Sequence, residues 1–258
     1  MGYLLASLGT LGLALAMPSP AASQQTPAAP VTMGDDLIAD APVFQPVEPP
    51  AGYMRAVEQG TRTADGRPGP GYWQQSVDYA IDVSLDPATA LVRGSETATI
   101  HNGAPVPLPV ILVRLYQNVF SEGVPRNRQV TLTGGMQVDR VAVNGVELED
   151  LTDDPDATQR DPGYRIIDTR MAVVPPEQIA AGSTTEVEID WSFTVSGGGG
   201  FRNGHLDHEI YNIAQWYPQI AVFDDVFGLD TDAYLGDGEF YVDYGTFDVN
   251  IDVPAGWV

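Results

Sequence analysis

Three histidines, His101, His205 and His208, are the chain's whole supply of imidazole, and two fall in one stretch, His205-Leu206-Asp207-His208-Glu209. That stretch invites a zinc reading. A zincin helix needs H-E-x-x-H, which sets two imidazoles one turn apart with the glutamate beside them as general base. Here the histidines are three apart, the glutamate follows the second, and the flanks read as Gly-rich loop and strand. A solvated loop explains the pair better, so no metal ligand and no catalytic residue is assigned. Gly197-Gly198-Gly199-Gly200 is not a phosphate cradle, because no Lys-Ser/Thr follows and the G-x-G-x-x-G spacing fails at Arg202 and Asn203. It reads as a flexible connection between two strands. No G-x-S-x-G elbow is present, and cysteine is absent, which removes disulfides, thiolate zinc sites and a cysteine nucleophile.

Charge narrows the field further. The 258 residues carry 12 basic groups, all arginine, against 35 acidic ones, a net charge of −23. Such a chain repels phosphate backbones, so nucleic acid is excluded as a partner. After Arg202 there is no basic residue, while eleven acids run from Asp207 to Asp252. A calcium loop of EF-hand type fails from Asp230, where Tyr234 and Leu235 occupy the fifth and sixth positions. Two readings of this acidic run stay open: a solvated surface, or a negative lip that draws cationic ligands.

The elements that would position any site are strands. Val77, Tyr79, Ile81, Val83 and Leu85 alternate with polar residues apart from Ala80, the pattern of a half-buried strand. Residues 91–100 read as its hairpin partner across Asp86-Pro87-Ala88-Thr89. Residues 110–116 form a third strand. Residues 138–148 contain Asn144-Gly145 between apolar flanks, a two-residue hairpin turn in which both positions take positive φ. Residues 164–174 and 185–195 supply two more, the second with Val187, Ile189, Trp191, Phe193 and Val195 on one face. Residues 209–216, 220–223 and 239–253 complete the set. No segment shows a convincing helical apolar stripe, and residues 175–182 give at most one or two helical turns. The expectation is one all-β domain over residues 51–258, of about nine or more strands, built as a sandwich or saddle-like sheet.

The N-terminal end reads differently. Residues 3–17 are almost wholly apolar or small, too short for a comfortable membrane span, and Ala21-Ala22-Ser23 follows as a cleavage zone. Residues 1–23 therefore read as a signal peptide. No Lys or Arg precedes the apolar run, so its positive end is either the terminal amine or lies upstream of Met1. Residues 24–50 hold six prolines and no periodicity, the composition of a disordered linker. Export without cysteines fits a periplasmic or extracellular protein of a bacterial envelope, with no membrane span once the signal is removed.

Two stretches resemble a known family. The first is residues 72–79 together with Arg93-Gly94-Ser95-Glu96-Thr97-Ala98-Thr99-Ile100. The second is Tyr211-Asn212-Ile213-Ala214-Gln215-Trp216-Tyr217-Pro218, continuing through residues 221–225, 234–241 and 244–249. Together they resemble the N-terminal β-domain of the aminopeptidase N family, zinc metallopeptidases of the membrane alanyl aminopeptidase type. The resemblance implies a helical catalytic domain in cis after the β-domain, carrying Gly-x-Met-x-Asn, H-E-x-x-H and a further glutamate as third zinc ligand. None of these motifs is in this chain; Gly134-Gly135-Met136-Gln137-Val138 lacks the final Asn. The chain then resembles an N-terminal fragment, inactive alone, with no cofactor of its own and with zinc held by the missing domain. It also implies a peptide substrate whose free α-amine is held by Gln215. Tyr217 stands where the family often has Glu or Gln, so either part of that clamp comes from elsewhere or the mode of recognition has shifted. The alternative is a stand-alone secreted β-sandwich that binds a ligand or partner through Trp73, Trp216 and Tyr217.

Overall fold

The computed structural model describes residues 47–238 and 240–257. The expected signal peptide and nearly all of the expected linker lie outside them. Fourteen strands and one short α-helix are present among the described residues, and the strands do not close into a barrel. None of the helices described is long and apolar enough to cross a membrane.

Strands β1 (Ser76–Asp86) and β2 (Leu91–His101) form the expected hairpin, eleven residues against eleven, with Ser76 opposite His101 and Asp86 opposite Leu91. Asp86 shapes its turn by accepting from the Ala88 amide at 3.0 Å and the Thr89 hydroxyl at 2.6 Å. β3 (Ile111–Arg114) runs into a 3-10 helix (Tyr116–Phe120) rather than continuing as strand. β4 (Met136–Val143) and β5 (Val146–Glu147) turn at Asn144-Gly145, with φ of 50° and 76°, as the sequence implies.

The single strand expected over residues 164–174 is two, β6 (Gly163–Ile167) and β7 (Arg170–Val174). Asp168 turns the chain at φ 54° without a glycine, and buried Thr169 exchanges hydrogen bonds with Tyr234 at 2.8 and 3.2 Å. A long-range partner fixes that turn, so local composition does not announce it. Residues 175–182 form no helix. Their amide and carbonyl at Ile179 pair instead with Leu108, at 3.0 and 2.9 Å.

β8 (Thr184–Thr194) is the long strand, and its inward residues Val187, Ile189, Trp191 and Phe193 are all buried. The remaining strands are short: β9 (Asn203–Leu206), β10 (Ile210–Ile213), β11 (Gln219–Ile220), β12 (Phe223–Asp224), β13 (Gly228–Leu229) and β14 (Phe247–Asp252). Of the strand expected over 239–253, only β14 pairs regularly, parallel to β1. Asp78 anchors its start by accepting from the Thr246 amide and hydroxyl, both at 2.8 Å.

β9–β10 and β12–β13 form two separate two-stranded pairs, and two main sheets result, in the orders β14-β1-β2-β8-β4-β5 and β11-β3-β7-β6. One apolar cluster draws on both, with Ile81, Val141, Val187 and Ile189 from the first and Val113, Met171, Val173 and Ile220 from the second. The domain is thus a sandwich, in which period-two alternation buries one face of each sheet. The α-helix, α1 (Ala51–Glu58), corrects the expectation of no helix. It buries only Ala56, so it has no apolar stripe to detect. It stops where Gly60, at φ 77°, and Thr61 donate back to Val57 and Ala56, the pattern of a Schellman cap.

Candidate functional site

Residues 214–218 cross between β10 and β11 as a short loop. Gln215 sits there at φ 48°, a left-handed conformation that a residue with a Cβ adopts only when its surroundings hold it. The hold comes from Gln117, fully buried in the 3-10 helix. Its Nε2 donates to the carbonyls of Ala214 at 2.9 Å and Gln215 at 3.1 Å. The ten residues 111–120 are buried without a break, so this support is rigid. Asn118 continues the frame, donating to Asp168 and accepting from the Met136 amide, both at 2.9 Å.

The Gln215 side chain itself is half-buried and makes no hydrogen bond among the described residues. The glutamine amides of Gln75, Gln117 and Gln219 are all engaged. The next two residues turn inward. Trp216 packs on Trp191 (6.0 Å between ring centroids) and on Tyr217 (5.2 Å), and Tyr217 meets Tyr79 edge-on (5.3 Å). The Tyr217 hydroxyl accepts from Gln219 at 3.0 Å. Burial, with Glu96 nearby, pushes that hydroxyl up to about 12, so it offers a neutral oxygen rather than a charge.

Glu96 is the residue that motif reading did not single out. Strand alternation places 92, 94, 96, 98 and 100 on the inner face of β2, and Glu96 is 3% exposed there, opposite Ile81 and Ile189. Neither carboxyl oxygen has a partner, and burial holds the group well above the ordinary carboxylate range. Burial therefore favours its protonated form. Trp191, two residues along on the facing strand, leaves its indole nitrogen equally unpartnered. Its ring lies so close over Gly94 that a Cβ there would fall 2.4 Å from a ring carbon.

The histidine pair occupies a hairpin, not a helix. His205 lies in β9, and Asp207 and His208 make the turn to β10 at φ 48° and 59°. His208 Nδ1 lies 2.8 Å from the Pro87 carbonyl and 3.0 Å from the Tyr211 hydroxyl, while His205 Nδ1 accepts the His208 amide at 3.3 Å. These nitrogens are committed within the hairpin and to the β1–β2 turn at Pro87, and among the described residues no three His, Cys, Asp or Glu side chains converge on a point. The residues present do not fit a zinc site.

The acidic run is not a uniform free surface either. Arg62 grips Asp225 with two bonds of 2.8 and 2.7 Å. Buried Arg114 pairs with the Asp230 carboxylate, and Arg128 meets Asp237 at 2.7 Å. Cations remote in sequence are returned to the acids by the fold. The three aromatics considered as a ligand platform belong to two groups. Trp73 packs on Phe223 at 5.1 Å, whereas Trp216 and Tyr217 pack on the sheet core.

No family model matches the chain, and no curated protein does. Among solved structures, M1 zinc metallopeptidases are similar to part of this chain. One, from Deinococcus radiodurans, is 16% identical at a TM-score of 0.38, covering 73% of this chain and 34% of its own. A two-domain M1 zinc metallopeptidase mutant bound to L-arginine gives 16%, 0.38, 73% and 35%. A mutant of the Deinococcus radiodurans enzyme gives 17%, 0.32, 54% and 26%. The chain thus spans about a quarter to a third of the length of the structures it matches.

Proposed function

We propose that this chain is the non-catalytic N-terminal β-domain of an exported zinc metallopeptidase of aminopeptidase type. It shapes the substrate pocket and holds the peptide's N-terminus, while a catalytic domain in cis supplies zinc and the base. The observation that carries the reading is Gln215. Its amide is unengaged on a loop whose backbone is pinned, at the position where the sequence resembles the family's amine-binding glutamine. A side-chain carbonyl accepts hydrogen bonds from an ammonium group, and the pinned backbone fixes the point from which this side chain reaches. Tyr217 adds no charge, so the attraction for the amine comes from carboxylates beyond this loop.

The chain on its own is expected to be inert. Purified and incubated with excess zinc, it should retain less than one equivalent after dialysis and release no product from leucine p-nitroanilide. Stoichiometric zinc accompanied by turnover would place a catalytic centre within these residues and end the proposal. Export rests on the apolar run at residues 3–17 and the small residues that follow. Intact mass of the mature protein should show a start near Ser23 or Gln24; a retained Met1 would contradict export by cleavage.

A further inference from the structure

A cavity of about 200 Å³ opens between residues of both main sheets, and no residue of the Gln215 loop lines it. Its walls are apolar, built from Val77, Ile100, Leu108, Leu112, Ile220 and Leu229 among others. The wall around Leu108 is preformed. Leu108 exchanges backbone hydrogen bonds with Ile179, and buried Asn102 ties Val106, Ile179 and Ala180 together at 3.0–3.2 Å.

Two polar side chains line this space. Gln75 is spent, donating to Asn102 at 3.2 Å and accepting from the Gly103 amide at 3.0 Å, so it offers the cavity only its stem. Asp243 is the one ionisable group in the lining, half-buried, with no hydrogen bond or ion pair among the described residues. Burial, with Asp224 beside it, lifts its carboxyl to about 6. Asp224 is satisfied by the Tyr241 hydroxyl at 2.7 Å and by the amides of Val226 and Phe227. Arg62 is committed to Asp225 and lies over Tyr72, so it is not free to answer Asp243.

We infer that this cavity binds a small aliphatic primary amine, with its hydrocarbon tail inside and its ammonium group against Asp243. An apolar cavity with one half-buried, unpaired carboxylate in its lining complements a molecule with one apolar end and one cationic end. A cavity of about 150 Å³ lined by apolar side chains is enough to take benzene, so a chain of about six carbons fits this one. An anion is repelled by Asp243 and Asp224, and a neutral alcohol gains only the tail.

Calorimetric titration of the full chain at pH 8 with n-hexylammonium, n-hexanol and n-hexanoate tests the assignment. Hexylammonium should bind one to one, at least about tenfold more tightly than hexanol, the worth of one charge-assisted contact; hexanoate should not bind. Asp243→Asn should bring hexylammonium down to the alcohol's affinity with the thermal transition of the domain retained. Val110→Phe, which places a ring in the cavity, should abolish both. Equal affinity for amine and alcohol, an Asp243→Asn variant that binds hexylammonium unchanged, or no binding of hexylammonium at all would each overturn the inference.

Discussion

Wild-type protein should lose stability relative to a Glu96→Gln variant by about 1.4 kcal/mol for each pH unit between the ordinary glutamate range and the raised folded-state value, because over that window one proton is bound in the folded state and released on unfolding. The sign follows from burial. Glu96 has its folded-state pKa raised well above 4.5, so its contribution is fully present below 4.5 and drains away as pH rises towards the folded value. The size follows from isolation: the carboxyl has neither a cation nor a hydrogen-bond donor to offset desolvation. Leucine has a similar volume and no polar atoms, so Glu96→Leu should raise the unfolding free energy at pH 7 by about 1–3 kcal/mol. Urea denaturation of the three proteins between pH 5 and pH 8 reads both effects. Parallel pH profiles, or a leucine variant less stable than wild type, would show that Glu96 has a partner in the folded protein.

A group so costly on the inner face of β2 is near the Tyr217 hydroxyl, which burial first and Glu96 second push up. Stability and the Gln215 loop therefore share one stretch of core. Trp216 rests on Trp191, and Trp191 rests on Gly94, two residues from Glu96.

The residues that proved legible are those whose pattern is local. The β1–β2 hairpin, the Asn144-Gly145 turn and the inward face of β8 all follow from period-two alternation and turn chemistry. The features that were not legible depend on distant partners. Thr169 turns the chain because Tyr234 meets it, and α1 is held by a cap rather than by a buried stripe. The acidic run looked unopposed because Arg62, Arg114 and Arg128 lie far away in sequence. Gln215 enters only through the family resemblance, and its left-handed backbone and the buried Gln117 that holds it have no local signal. Glu96 was open to discovery, since alternation alone puts it inside.

The second large effect concerns Gln215 itself. If its amide accepts a hydrogen bond from a peptide's free α-amine, Gln215→Ala removes one charge-assisted bond worth about 1.5–3 kcal/mol, or about 10- to 100-fold in kcat/KM. Alanine keeps the Cβ, and Gln117 grips only the backbone, so the loop conformation is retained. An N-acetylated peptide has no ammonium group to lose, and its slow cleavage should be untouched. The decisive measurement is the ratio of kcat/KM for a free and an N-acetylated form of one peptide, in the enzyme that joins this domain to its proposed catalytic partner, with and without Gln215→Ala. The account predicts a fall of about 10- to 100-fold in that ratio, carried by the free peptide alone; an equal loss on both peptides, or no loss on either, would contradict it.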